Sequence, residues 1–143
     1  MEKETEDALR LMPYGIYLLT TGPAPRSGTV VSWVSQVSYS PPLLAVALRR
    51  NRKALPEIRK NGSFSLHLFQ NKEKERVSQC KTHLHSGPAG DESFVASFEC
   101  RLVSAVDAGD HVLCIGEIAS ASARAEGRAL TTVDYGKTYL GES

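Results

Sequence analysis

Long apolar runs are missing from this 143-residue chain. The two longest mostly apolar stretches, Tyr14 to Leu19 and Pro42 to Leu48, fall far short of the roughly 18 to 20 residues that a bilayer span needs. No membrane role is expected. The opening Met1-Glu2-Lys3-Glu4-Thr5-Glu6-Asp7 is acidic and has no apolar segment behind a basic start, so it does not read as a secretory leader and a cytoplasmic location is expected. A dominant charge is missing too: 17 Lys+Arg stand against 16 Asp+Glu, which gives no global field for gripping nucleic acid. Any anion site must be local. Cysteine is scarce. Cys80, Cys100 and Cys114 contain no CxxC pair, which fits reduced thiols and leaves no ligand set for a fused iron–sulfur module.

The usual catalytic fingerprints are equally scarce. No G-x-S-x-G elbow and no G-x-G-x-x-G loop occurs. Gly136-Lys137-Thr138 looks like the end of a phosphate-binding loop, but Thr131 stands where its first glycine belongs. Cys80-x2-His83-x-His85 offers zinc-ligand types without a second close pair, so no metal is expected.

What remains is a chain with 41% hydrophobic residues, the size of one domain, able to bury a core without staples. Thr5 to Met12 reads as an opening helix stopped by Pro13. Tyr14–Thr21, Ser27–Ser38, Leu43–Leu48, Ser63–Phe69, Phe98–Val106 and His111–Ala119 read as strands, the last two joined by a turn at Asp107-Ala108-Gly109-Asp110. A further short strand is expected near Leu130 to Val133. Asn51 to Lys60 suits a short helix with Asn51 as cap and Gly62 beyond its end, and Asn71 to Lys81 a solvated one. About six strands with helices between them and no βαβ rhythm imply a mainly β fold, an antiparallel barrel with short peripheral helices.

Two constellations stand out. Arg49 to Lys60 holds six of the 17 basic residues and is either a solvated helix face or a phosphate site built from Arg52, Lys53 and the first-turn amides. Thr29, Ser32, Ser35, Gln36 and Ser38 line an extended strand beside Trp33, either as a polar edge or as partners for a flat heteroaromatic ring and its polyol. Asp110-His111 offers a carboxylate-oriented imidazole.

Gly28-Thr29-Val30-Val31-Ser32-Trp33-Val34-Ser35-Gln36-Val37-Ser38-Tyr39-Ser40-Pro41-Pro42-Leu43-Leu44-Ala45-Val46-Ala47-Leu48 closely resembles the flavin reductase-like family of FMN-binding split barrels. Met12-Pro13-Tyr14-Gly15-Ile16-Tyr17, Phe98 to Leu102 and Gly109 to Ile118 extend the resemblance, and Leu130 to Tyr135 is similar to the ending of flavoredoxins. It implies a six-stranded Greek-key split barrel over residues 1–143, with an N-terminal helix at 1–12 and a tail at 130–143. It also implies a homodimer with FMN near the interface. By position, Val30, Val31, Ser32 and Trp33 would meet the isoalloxazine, and Ser35, Gln36 and Ser38 the ribityl chain and phosphate. Asn51, Arg52 and Lys53 fall at the phosphate, with Arg52 and Ala54 standing where the family has a Ser-x-Thr pair. His67 replaces a common asparagine near the ring, and His111 would lie nearest the nicotinamide or substrate. The region Ser86 to Ser97 and the tail look shorter than in relatives, which implies either a more open second flavin face or the loss of groups that bind the electron donor. The activity implied is NAD(P)H:flavin oxidoreduction; the alternative is an FMN-holding electron-transfer protein fed by a protein donor.

Overall fold

The computed structural model describes residues 1–22, 27–82 and 94–142. Helix α1 (Lys3–Arg10) begins and ends two residues before the expected Thr5 to Met12 and is tied by the (i, i+4) ion pairs Lys3–Asp7 and Arg10–Glu6 at 2.7 and 2.6 Å. Such exposed pairs contribute only a few tenths of a kcal/mol.

Strands β1 (Tyr17–Thr21), β2 (Ser27–Val31), β3 (Val34–Ser38) and β4 (Leu43–Arg49) follow, then α2 (Ala54–Asn61), β5 (Ser63–Leu68) and α3 (Lys74–Thr82). The long strands β6 (Ala96–Ala108) and β7 (His111–Ala123) precede α4 (Thr132–Tyr135). All neighbours in the sheet are antiparallel, in the order β2-β1-β5-β6-β7-β4-β3.

This is the expected mainly β architecture, with seven strands among the described residues in place of six. The added strand comes from one break: the expected Ser27–Ser38 strand divides at Ser32-Trp33, so that β2 pairs with β1 at one end of the sheet and β3 with β4 at the other. At the corner Val34 N–H donates to the Ser32 carbonyl at 2.9 Å and Ala47 N–H to the Trp33 carbonyl at 3.0 Å. Two residues thus join both edges of the sheet and roll it into a split barrel.

Other boundaries moved for local reasons. Ser40-Pro41-Pro42 forms the β3–β4 turn around a cis Ser40–Pro41 bond. Helix α2 starts at Ala54, so Asn51 is not its cap; Gly62, at φ 69°, does end it in the left-handed conformation. The expected Leu130–Val133 strand shrinks to a single bridge, Gly15 to Thr131, because Thr132 to Tyr135 closes one helical turn before Gly136 at φ 85°. The β6–β7 turn falls at Gly109-Asp110 as expected, with small residues carrying β7 on to Ala123.

Two apolar clusters result, on opposite faces of β1. Leu19, Val46, Leu48, Phe64 and Leu66 fill the barrel, which Leu55 and Ile58 of α2 plug. Leu18, Phe69, Val77, Phe94 and Leu130 pack outside it, beneath α3. Burial of each large side chain contributes roughly 1.5–3 kcal/mol.

Candidate functional site

A cavity of about 740 Å³ opens where the corner at Ser32-Trp33 meets the end of β4, α1 and the segment after α4. This is within the range of small-ligand sites. Its lining includes the apolar side chains of Val30, Val31 and Leu48 and the indole of Trp33. Arg10, Arg49, Arg52 and Lys137 stand around it with Glu142 as the one acidic side chain, so the cavity favours an anion although the protein is nearly neutral.

The arginines are held in place. Arg52 Nη1 donates to Thr29 Oγ1 at 2.8 Å, which ties the loop before α2 to β2. Arg49 Nη1 donates to the Gly141 carbonyl at 2.5 Å and pairs with Asp110 Oδ2 at 3.1 Å. Trp33 Nε1 is the one buried side-chain nitrogen or oxygen among the described residues without a hydrogen-bond partner. An unmet buried donor costs roughly 1–3 kcal/mol, so this corner suits a ligand that brings an acceptor.

His111 lies behind Trp33, at 3% exposure, with ring centroids 4.7 Å apart. Its Nδ1 is 2.7 Å from Asp110 Oδ1 and its Nε2 is 2.8 Å from the Tyr139 hydroxyl. A carboxylate only accepts, so His111 Nδ1 donates to Asp110. The hydrogen bond from His111, with the charges of His111 and Arg49, holds the Asp110 carboxyl below its ordinary range. Burial pushes the Tyr139 phenol up, against the lowering effect of Arg52 and Arg49. The Tyr139 ring also lies against Trp33, with centroids 4.7 Å apart and planes tilted by 57°.

Of the expected site residues, Val30, Val31, Ser32, Trp33 and Arg52 line the cavity. His111 does not line it but touches Trp33 and Tyr139, which do. Ser35, Gln36 and Ser38 lie on β3, at the free edge of the sheet, where Ser35 and Gln36 are exposed and bond only to neighbouring carbonyls. Asn51 and Lys53 are exposed beside Arg52. His67 is outside the cavity: it is 2% exposed, 2.8 Å from Ser97 Oγ, 3.2 Å from Thr20 Oγ1, and stacked on Phe94. Ala54 is buried at the start of α2, and the hydroxyl facing Arg52 comes from Thr29.

His83 and His85 and most of the loop from Ser86 lie outside the described residues. Cys80 is buried, and among the described residues no group of three metal-ligand types occurs. The thiols are unsuited to nucleophilic work, since burial and the neighbouring Glu99 push Cys100 up to about 12. No helix of the described residues is long and apolar enough to cross a membrane.

Sequence reading missed Arg10 and above all the wall from Gly136 to Tyr139, and had Arg49 only as the start of the basic segment that runs to Lys60. The signal was present as Gly136-Lys137-Thr138, a cation and a hydroxyl after a glycine. It fails as a phosphate loop yet sits on the cavity. Far from leaving that end open, Tyr139 and Gly141 cover Trp33 and His111.

Comparison with known proteins agrees with this architecture. The family model of the flavin reductase like domain matches residues 9–141. An FMN reductase (NADH) of Stutzerimonas stutzeri is 28% identical, over 100% of this chain and 90% of that protein. A NADH:FAD oxidoreductase of Streptomyces globisporus, solved with NAD and FAD fragments, superposes with a TM-score of 0.80 at 18% identity, covering 90% of this chain and 86% of that one. A flavoredoxin from Methanosarcina acetivorans superposes with a TM-score of 0.71 at 22% identity, covering 81% and 72%. The chain belongs to the flavin reductase-like family of flavin-binding oxidoreductases.

Proposed function

We propose that the cavity holds FMN and that residues 1–143 act as one flavin-binding domain in which NAD(P)H reduces it. The observation that carries this reading is that one cavity is lined both by apolar side chains with the Trp33 indole, whose N–H is unpartnered, and by Arg49, Arg52 and Lys137. When bound, the isoalloxazine supplies the redox chemistry by accepting a hydride, so no side-chain nucleophile is needed.

The residues of the chain bind and orient. Val30, Val31 and Trp33 exclude water from one side of the ring system, and the Trp33 N–H offers it a donor. Arg52, fixed on Thr29, provides a charged fork for the phosphate in place of hydroxyls, with Asn51 and Lys53 adding polarity outside. Asp110 fixes the His111 ring, and His111 with Tyr139 sets the shape of the cavity behind Trp33.

A homodimer fits the free edge of β3, where Val37 and Tyr39 are 50% and 90% exposed. In that arrangement Ser35, Gln36 and Ser38 meet the second subunit and the flavin's polar chain near it. A cytoplasmic setting, with its nicotinamide pool, fits the same reading. The second reading, an FMN holder that takes electrons from a protein, is favoured by Tyr139 and Gly141 lying over Trp33 and His111.

Titration with FMN tests the binding claim directly. Emission of the single tryptophan should fall saturably, and light scattering should report a dimer. Emission that never saturates, or a monomer, would contradict it.

A further inference from the structure

A second cavity, of about 200 Å³, lies at the other end of β1. Tyr17 starts that strand opposite Val31, which lines the first cavity, and Thr21, which lines the second, stands about 13 Å further along it. The sheet itself builds the site. Thr20, Ser65 and Glu99 are register partners across β1, β5 and β6, so their side chains leave the sheet side by side. Thr20, Thr21 and Ser65 are only 1%, 3% and 3% exposed, and Glu99 is half-buried. Asn61 and Ser63, exposed at the rim, add an amide and a hydroxyl, and Gly22, at φ 77°, turns the chain there.

The hydrogen bonds decide what this lining can take. Thr21 Oγ1 donates to Glu57 Oε2, and Ser65 Oγ donates to Glu99 Oε2. A hydroxyl has one proton and two lone pairs, so each of these buried oxygens, its proton given to a carboxylate, has only acceptor capacity left. The Thr20 hydroxyl is engaged with His67 at 3.2 Å. Among the described residues no lysine, arginine or histidine lines the cavity. It therefore presents one carboxylate among neutral oxygen acceptors, which is the donor type that hard cations take.

We propose that this second cavity is a site for a divalent cation of the calcium type, held by Glu99 with the oxygens of Thr21, Ser65, Asn61 and Ser63 and separate from the flavin. Only one of these residues brings a charge, so the ion keeps several waters, for which the volume leaves room, and it binds weakly, with a Kd on the order of a millimolar. When bound it fastens the ends of β1 and β5 and the middle of the sheet at β6 to the last residue of α2.

The test is a titration of the cofactor-free protein with calcium chloride, set against sodium chloride at equal ionic strength and followed by backbone amide spectra. The amides of Thr21, Gly22, Asn61, Ser65 and Glu99 should shift together and saturate at a few millimolar. At about 10 mM calcium the Tm should rise by a few degrees, since the ion binds only the folded chain. Glu99→Gln keeps an oxygen for the Ser65 hydroxyl and removes the charge, and it should abolish both responses. Glu4→Gln, at an exposed carboxylate of α1, should leave them intact.

Shifts that fail to saturate, or that spread over the surface carboxylates with no centre at Glu99, would overturn the proposal. A Glu99→Gln protein that responds like wild type would also overturn it. The wild-type titration locates the site even where the variant folds poorly. No flavin takes part in the test, so its outcome is independent of the reading of the first cavity.

Discussion

The Nε2 of His111 lies 2.8 Å from the hydroxyl of Tyr139, 28 positions further along the chain, while Nδ1 lies 2.7 Å from the carboxylate next door at Asp110. Both ring nitrogens are therefore spoken for, and the carboxylate fixes which one is protonated. Replacing Asp110 by Asn supplies an amide N–H to Nδ1 and should move the proton to Nε2. Nitrogen-15 spectra of the imidazole should show the Nδ1–H tautomer in wild type and a shift towards Nε2–H in Asp110→Asn. Because the Asp110 carboxyl sits below its ordinary range, the wild-type tie should persist above about pH 4 and be lost only as pH falls further, through that depressed value. An unchanged tautomer in the variant would contradict this geometry.

Arg52 is the cation that bridges the two halves of the cavity, bonded to Thr29 on β2 while its own loop follows β4. Arg52→Ala removes a charged fork from a phosphate, an interaction of about 1.5–3 kcal/mol. FMN should bind roughly ten- to a hundredfold more weakly, by fluorescence titration. Lys53→Ala, at an exposed neighbour, should have a much smaller effect. Equal losses in the two variants would show that Arg52 has no special place.

Gly116 on β7 leaves room for Phe64: a Cβ there would lie 2.7 Å from Phe64 Cζ and 2.8 Å from Cys100 Cβ. Gly116→Ala should destabilise the protein by about 1–3 kcal/mol through overpacking. Thermal unfolding should fall by several degrees, and a second change, Phe64→Leu, should return part of the loss in a double-mutant cycle. A Tm unchanged by Gly116→Ala would mean that the barrel interior yields more readily than its packing indicates.

The barrel was legible in the sequence because local patterns and tertiary outcome agree there. Leu43 to Leu48 is apolar throughout and is buried along most of its length, and Asp107 to Asp110 turns where glycine permits. The break at Ser32-Trp33 was not legible. Alternation continues across it, and only the exchange of pairing partners, from β1 to β4, separates two strands. The same closure explains the site. Trp33 and Arg52 could be picked from their segments, whereas Tyr139 reaches them only through the path of α4, a turn too short to leave a periodic signal. His67 shows the converse. Its strand pattern is clear, but the face it takes is set by Thr20 and Ser97 on the flanking strands, and that face points away from the cavity.

The central claim is that this cavity carries a flavin that NAD(P)H reduces. Its most direct test is the visible spectrum of the FMN-loaded, desalted protein under anaerobic conditions, recorded before and after NADH and then NADPH. The account predicts bound flavin absorbance that bleaches with at least one of the two nicotinamides. Bound flavin that bleaches only with dithionite would contradict it and leave the electron-transfer reading in its place.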